Sequence, residues 1–117
     1  MLAFRCFAPV RTFDRMRTLH HPRLEEVDLT DVLHALSDPV RLEIVRTLSD
    51  LKERPCSSVE ATVAKSTLSH HFKVLREAGI TYTRANGTHR LMSLRRDDLE
   101  DRFPGLLTSV LKATKAA

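Results

Sequence analysis

KSTLSHHFKVLREAGITYTRANGTHRLMSLR, residues 65–95, is the stretch on which the fold turns. Its first half carries a helical period. At about 100° per residue, Leu68, Phe72 and Leu75 share one side, with His71 and Ala78 at its edge. Ser66, Ser69, His70, Lys73 and Glu77 lie opposite. Ser66 is expected to cap this helix, Ala78 to end it, and Gly79 to take the left-handed position beyond. Ile80 to Ala85 and Thr88 to Arg95 then read as strands joined by Asn86-Gly87, a dipeptide suited to a two-residue hairpin turn. Such a turn sets Arg84 opposite His89 and Thr83 opposite Arg90, crowding cationic side chains at the tip.

Upstream, Leu29, Val32, Leu33 and Leu36 recur at the spacing of one helical face. Asp38 is placed to cap the next helix, and Pro39 suits its first turn because the N–H it lacks would be unpaired there. That helix aligns Val40, Ile44, Leu48 and Leu51, widened by Leu42 and Val45, and ends across Lys52 to Pro55. Residues 57–63 read as a short helix around Val59 and Val63. Downstream, Arg96-Asp97-Asp98 opens a last helical region, interrupted at Phe103-Pro104. The order helix, helix, short helix, helix, hairpin, helix defines a mainly α fold with a small β-hairpin, the winged helix-turn-helix. Residues 28–117 form this DNA-binding and dimerisation domain. Residues 1–27 read as an N-terminal arm, either flexible or, the favoured reading, an upstream extension ahead of a start at Met16. The apolar faces of the first and last helices exceed what so small a body covers. A homodimer interface of Leu29, Val32, Leu33, Leu106, Leu107, Val110 and Leu111 is the expected outlet.

Charge sharpens the functional expectation. The chain carries a net +4, unevenly spread: residues 61–96 hold seven bases and one acid, residues 28–60 four bases and seven acids. A cationic segment suits either a solvated surface or a polyanion. The helix alone fits either reading, an ordinary amphipathic surface helix or, with its small, polar and cationic outer side, one suited to a major groove; its combination with the basic hairpin tip favours the polyanion. Ser66, Thr67, Ser69, His70 and Lys73 are the candidate DNA-reading residues. Arg84, Asn86, Gly87, His89 and Arg90 are the candidate wing contacts to phosphate or minor groove. Only five Phe, one Tyr and no Trp argue against a stacking platform for single strands.

These residues also resemble a family. The run Ala35-Leu36-Ser37-Asp38-Pro39-Val40-Arg41-Leu42-Glu43-Ile44-Val45-Arg46 looks like the opening signature of ArsR-type (arsenical-resistance repressor) regulators, and Lys65 to Ile80 like their recognition helix and its exit into the wing. The resemblance spans residues 28–112. It implies a homodimer joined through the first and last helices, a repressor of palindromic operators that lets go when an effector binds. Many such relatives sense metals through a Cys-x-Cys pair or through Asp and His on the last helix. Here Pro55-Cys56-Ser57-Ser58 offers one cysteine, and Arg102 to Ala113 neither His nor Cys.

The remaining chemistry is sparse. Six histidines form no visible cluster, and His70 and His71, being adjacent, do not share a helix face. Neither metal nor cofactor is expected. His71 reads as a core-edge histidine bonded to backbone. Cys56 reads as a small buried residue rather than a redox sensor. With no phosphate loop, zincin motif or nucleophile elbow, and with Asp97, Asp98, Glu100 and Asp101 placed as helix-start charges, no catalytic residue and no enzyme is expected. Cys6 and Cys56 imply no disulfide framework, and no apolar run approaches the roughly 20 residues of a membrane span, so a cytoplasmic protein is expected. The competing readings are a winged-helix protein-interaction module without DNA, and a metal- or thiol-responsive repressor.

Overall fold

The computed structural model describes residues 19–50, 52–59 and 63–116. Helix α1, Leu29–Ala35, follows Asp28 and buries Val32 and Ala35, leaving Leu29 and Leu33 on the outside. Helix α2, Pro39–Thr47, starts as expected: the Asp38 carboxylate accepts the amide hydrogens of Val40 at 2.9 Å and Arg41 at 3.1 Å. A cap of this kind is worth about 1 kcal/mol. The helix tightens into a 3-10 turn at Leu48–Asp50, and Ile44, Val45 and Leu48 lie at the centre of the core. Leu51, assigned to the same stripe, lies outside the described residues.

The connection to the next helix differs from expectation. Arg54–Pro55 forms a strand, β1, and Cys56–Ser58 a 3-10 turn, after which Val59 is extended. The short helix expected over 57–63 is therefore absent at 57–59, and residues 60–62 lie outside the described residues. Helix α3, Lys65–Glu77, begins two residues earlier than a Ser66 cap would set it. Ala64 occupies the cap, no side chain bonds the first turn, and Ser66 sits inside the helix rather than capping it. Gly79 takes φ +88° as anticipated.

Strands β2, Thr81–Asn86, and β3, His89–Leu94, pair antiparallel, and β1 adds to the far edge of β3, giving the order β1-β3-β2. The hairpin register is two residues off the predicted one. Asn86 pairs with His89, Ala85 with Arg90 and Arg84 with Leu91, so Gly87 and Thr88 are the central turn residues. Glycine at the first central position, here at φ +64°, is what a type II′ hairpin turn takes. Helix α4, Arg96–Arg102, breaks at Phe103-Pro104-Gly105, and α5, Leu106–Ala116, returns across α2. No helix among the described residues is long and apolar enough to cross a membrane.

Two boundary expectations are corrected by the packing. Val32, Leu107 and Leu111, assigned to a dimer interface, are 1%, 3% and 8% exposed inside the protomer's own core. The expected boundary between residues 27 and 28 is not respected either, because residues 19–27 lie against the body. Val27 is buried, its carbonyl accepts from Arg102 Nε at 2.9 Å, and the Pro22 carbonyl accepts from Arg95 Nη1 at 2.9 Å. His21 stacks on Tyr82 and accepts the Thr83 amide hydrogen at Nε2, 3.0 Å away. The rest of the expected arm, residues 1–18, lies outside the described residues.

Candidate nucleic-acid interface

Helix α3 presents two chemically distinct sides, as its period requires. Leu75 and His71 are buried, and Leu68 and Phe72 half-buried. Ser66, Thr67, Ser69, His70 and Lys73 lie on the other side, and all of them, with Lys65 at the start of the helix, are exposed. Every predicted reading residue thus projects outward from one thirteen-residue helix. Its open N-terminus, where no side chain caps the first turn, leaves amide hydrogens and the positive dipole end beside Ser66 and Thr67.

What holds this helix in place was missed in the sequence. His71 does not bond backbone, as expected, but meets Arg41 of α2: Arg41 Nη1 lies 3.1 Å from His71 Nδ1. Arginine only donates, so Nδ1 is the acceptor and the imidazole proton sits on Nε2. Arg41, itself buried, also donates from Nε to the Ala35 carbonyl at 2.6 Å and from Nη2 to the His34 carbonyl at 3.3 Å. One guanidinium therefore joins the C-terminal end of α1, the start of α2 and the middle of α3. Burial pushes the Asp38 carboxyl up, but the amide bonds from Arg41 and Val40 and the positive charge of Arg41 bring it below its ordinary value. The signal for this network was a basic residue three positions after a helix cap, on an otherwise apolar helix.

The wing separates residues that the sequence reading had gathered. Paired residues share a face of the ribbon. Arg84, with Tyr82 and Leu91, lies away from the Thr83–Met92 pair, because neighbouring positions on a strand alternate in direction. Tyr82 and Arg84 share one face with Leu91, and Thr83 and Ala85 share the other with Met92 and Arg90. Arg84 is moreover held by Glu53 through two bonds of 2.7 and 2.9 Å. Those bonds raise the Arg84 guanidinium and lower the Glu53 carboxyl. Its charge is locally balanced, so of the two cationic side chains expected to crowd the tip, only Arg90 has no ion-pair partner among the described residues. Asn86, Gly87, His89 and Arg90 are exposed around the turn, with Arg90 on the face that looks back to α3. Cys56 is half-buried, and burial pushes its thiol above the ordinary value, the direction that disfavours a reactive thiolate.

Comparison with known proteins agrees with this geometry. A helix-turn-helix domain family matches residues 36–81. The chain is 43% identical over 82 residues to the HTH-type transcriptional regulator YceK of Bacillus subtilis (strain 168), covering 68% of this chain and 82% of that protein. It is 36% identical over 74 residues to an arsenical resistance operon repressor of Staphylococcus xylosus, covering 62% of this chain and 71% of the relative. Among solved structures, the transcriptional repressor BigR from Xylella fastidiosa superposes with a TM-score of 0.53 at 32% identity, over 64% of this chain and 85% of that one. With α3 followed directly by the β2–β3 wing, the chain belongs to the ArsR-type family of winged helix-turn-helix transcriptional regulators, which bind DNA.

Proposed function

We propose that this regulator works as a homodimeric repressor whose two α3 helices enter successive major grooves of a palindromic operator and leave it when an effector binds. Ser66, Thr67, Ser69, His70 and Lys73 are the reading residues, and Asn86, Gly87, His89 and Arg90 touch the flanking backbone. Arg84, engaged with Glu53, has no part in the contact. The observation that carries the reading is the outward projection of five small or cationic side chains from a helix whose other face is locked by Leu75 and His71. Leu29 and Leu33, 42% and 47% exposed on α1, and the half-buried Leu106 and Val110 on α5 supply the dimer surface.

The test is a set of outward substitutions. Lys73→Ala and His70→Ala are expected to weaken binding to a duplex selected from a random pool by about tenfold or more, with unchanged melting temperature. Arg90→Ala is expected to reduce the slope of log affinity against log salt by about one, the share of a single phosphate that the arginine no longer neutralises. Parent-like binding by both α3 variants would remove the reading face assigned here.

A further inference from the structure

A cleft of about 540 Å³ opens between the inner edge of α3 and the wing. That volume falls in the range of small-molecule sites, roughly 300–1,000 Å³. Its apolar wall comes from Leu19, Val59, Leu68 and Phe72, and Cys56 and Thr83 also line it. Two arginines share the cleft, with Lys65 also among its lining residues. Arg76 continues the Leu68–Phe72 stripe by one more turn, and Arg90 reaches in from β3. Among the described residues no carboxylate bonds either guanidinium. The Arg76 Nε atom is buried and has no hydrogen-bond partner among the described residues. Burial, opposed by the Glu77 carboxylate and aided by the second arginine, Arg90, pushes Arg76 below its ordinary value. A buried donor without an acceptor costs about 1–3 kcal/mol, more when charged, and an anion bound there would remove that cost.

We infer that this cleft is a binding site for an amphipathic carboxylate, its head between Arg76 and Arg90 and its apolar tail along Leu68 and Phe72. The consequence for regulation rests on the DNA reading above. Among the described residues no carboxylate engages Arg90, whereas Arg84 is held by Glu53, and Lys65 and Ser69 line the cleft on the reading helix. A carboxylate that engages Arg90 withdraws a cation from the DNA phosphate, so ligand and operator oppose one another. By linkage each weakens the other's affinity by the same factor.

Octanoate is a suitable probe, with octylamine as the control of equal tail and opposite charge. Titrated into the ¹⁵N-labelled full chain, octanoate is expected to shift the amides of Cys56, Val59, Phe72, Thr83 and Arg90, with octylamine at least about tenfold weaker. Arg76→Met, which keeps the aliphatic bulk, should lose octanoate affinity by about tenfold while holding duplex affinity within about twofold. If that variant fails to fold, the octanoate–octylamine contrast on the unaltered chain still decides. Saturating octanoate should weaken duplex binding measured by fluorescence anisotropy. Equal binding of the two probes, shifts confined to α1 around Leu29 and Leu33, or a filled cleft with unchanged duplex affinity would each overturn the inference. A chain that binds no duplex even without octanoate would sink the DNA reading and the coupling with it, while the amide map separately decides the cleft.

Discussion

Arg41 shows how much one side chain can determine. It is 7% exposed and satisfies two carbonyls at the end of α1 as well as the His71 acceptor on α3. Arg41→Met keeps most of the volume but removes the donors to the Ala35 carbonyl and to His71 Nδ1, while the His34 carbonyl still accepts from Ser37. It is expected to lower unfolding free energy by roughly 2–4 kcal/mol in urea titrations, and to loosen α3 before the rest of the fold. His21 gives a second residue-scale expectation, in pH. Burial first, then the positive charges of Arg76 and Arg95, push its imidazole down to about 4. The folded form therefore resists protonation that the unfolded chain, at its ordinary value of 6.5, accepts. Stability from this group is complete above pH 6.5 and declines as pH falls toward 4, where both forms become protonated. His21→Phe, which preserves stacking on Tyr82, should flatten that part of the stability–pH curve. The Asp38 cap was legible because capping is local. The Arg41–His71 contact was not, since it joins positions thirty apart that only the folded chain brings together.

At the scale of elements, the glycine before the hairpin and the glycine at its turn separate conformation from space. Both have positive φ, but a Cβ on Gly79 would lie 2.6 Å from Val27 Cγ2, whereas one on Gly87 meets nothing within 4 Å. Gly87→Ala should cost only the left-handed backbone penalty, about 1 kcal/mol. Gly79→Ala adds a clash that forces Val27 out of the core, and roughly 2–4 kcal/mol is expected by thermal or urea unfolding. The pair also explains what the sequence could and could not reveal about the wing. Alternation of buried and exposed positions specifies which face a residue takes, and two registers differing by two residues keep the same faces. The hairpin was therefore readable, its turn residue was not, and Arg84 was placed one pair too near the tip. Strand β1 left no trace at all: two residues, one of them proline, cannot display a period. It is defined only by its pairing with Met92 and Leu91.

The whole molecule raises a question that periodicity cannot answer: whether an apolar stripe faces its own core or a second copy. Leu33 and Leu107 belong to equally good helical stripes, yet Leu33 is 47% exposed and Leu107 3%. The two therefore make a paired experiment on the proposed dimer. Leu107→Asp buries a charge in the core that holds Val32, Ile44 and Leu111 and should abolish folding, which circular dichroism would detect. Leu33→Asp leaves the protomer's core intact, so its helical content should be that of the parent. Two-fold symmetry places each such residue in the interface twice, and losing two leucines' burial at roughly 1.5–3 kcal/mol apiece weakens dimerisation by about a hundredfold or more. Sedimentation equilibrium is the direct measure. The linked readout is DNA: the Leu33→Asp chain should bind a single half-site as the parent protomer does, and lose the gain that the full palindrome confers on two joined copies. A Leu33→Asp protein that still sediments as a dimer would move the interface off α1, and the remaining candidates on α5, Leu106 and Val110, would then have to carry it alone.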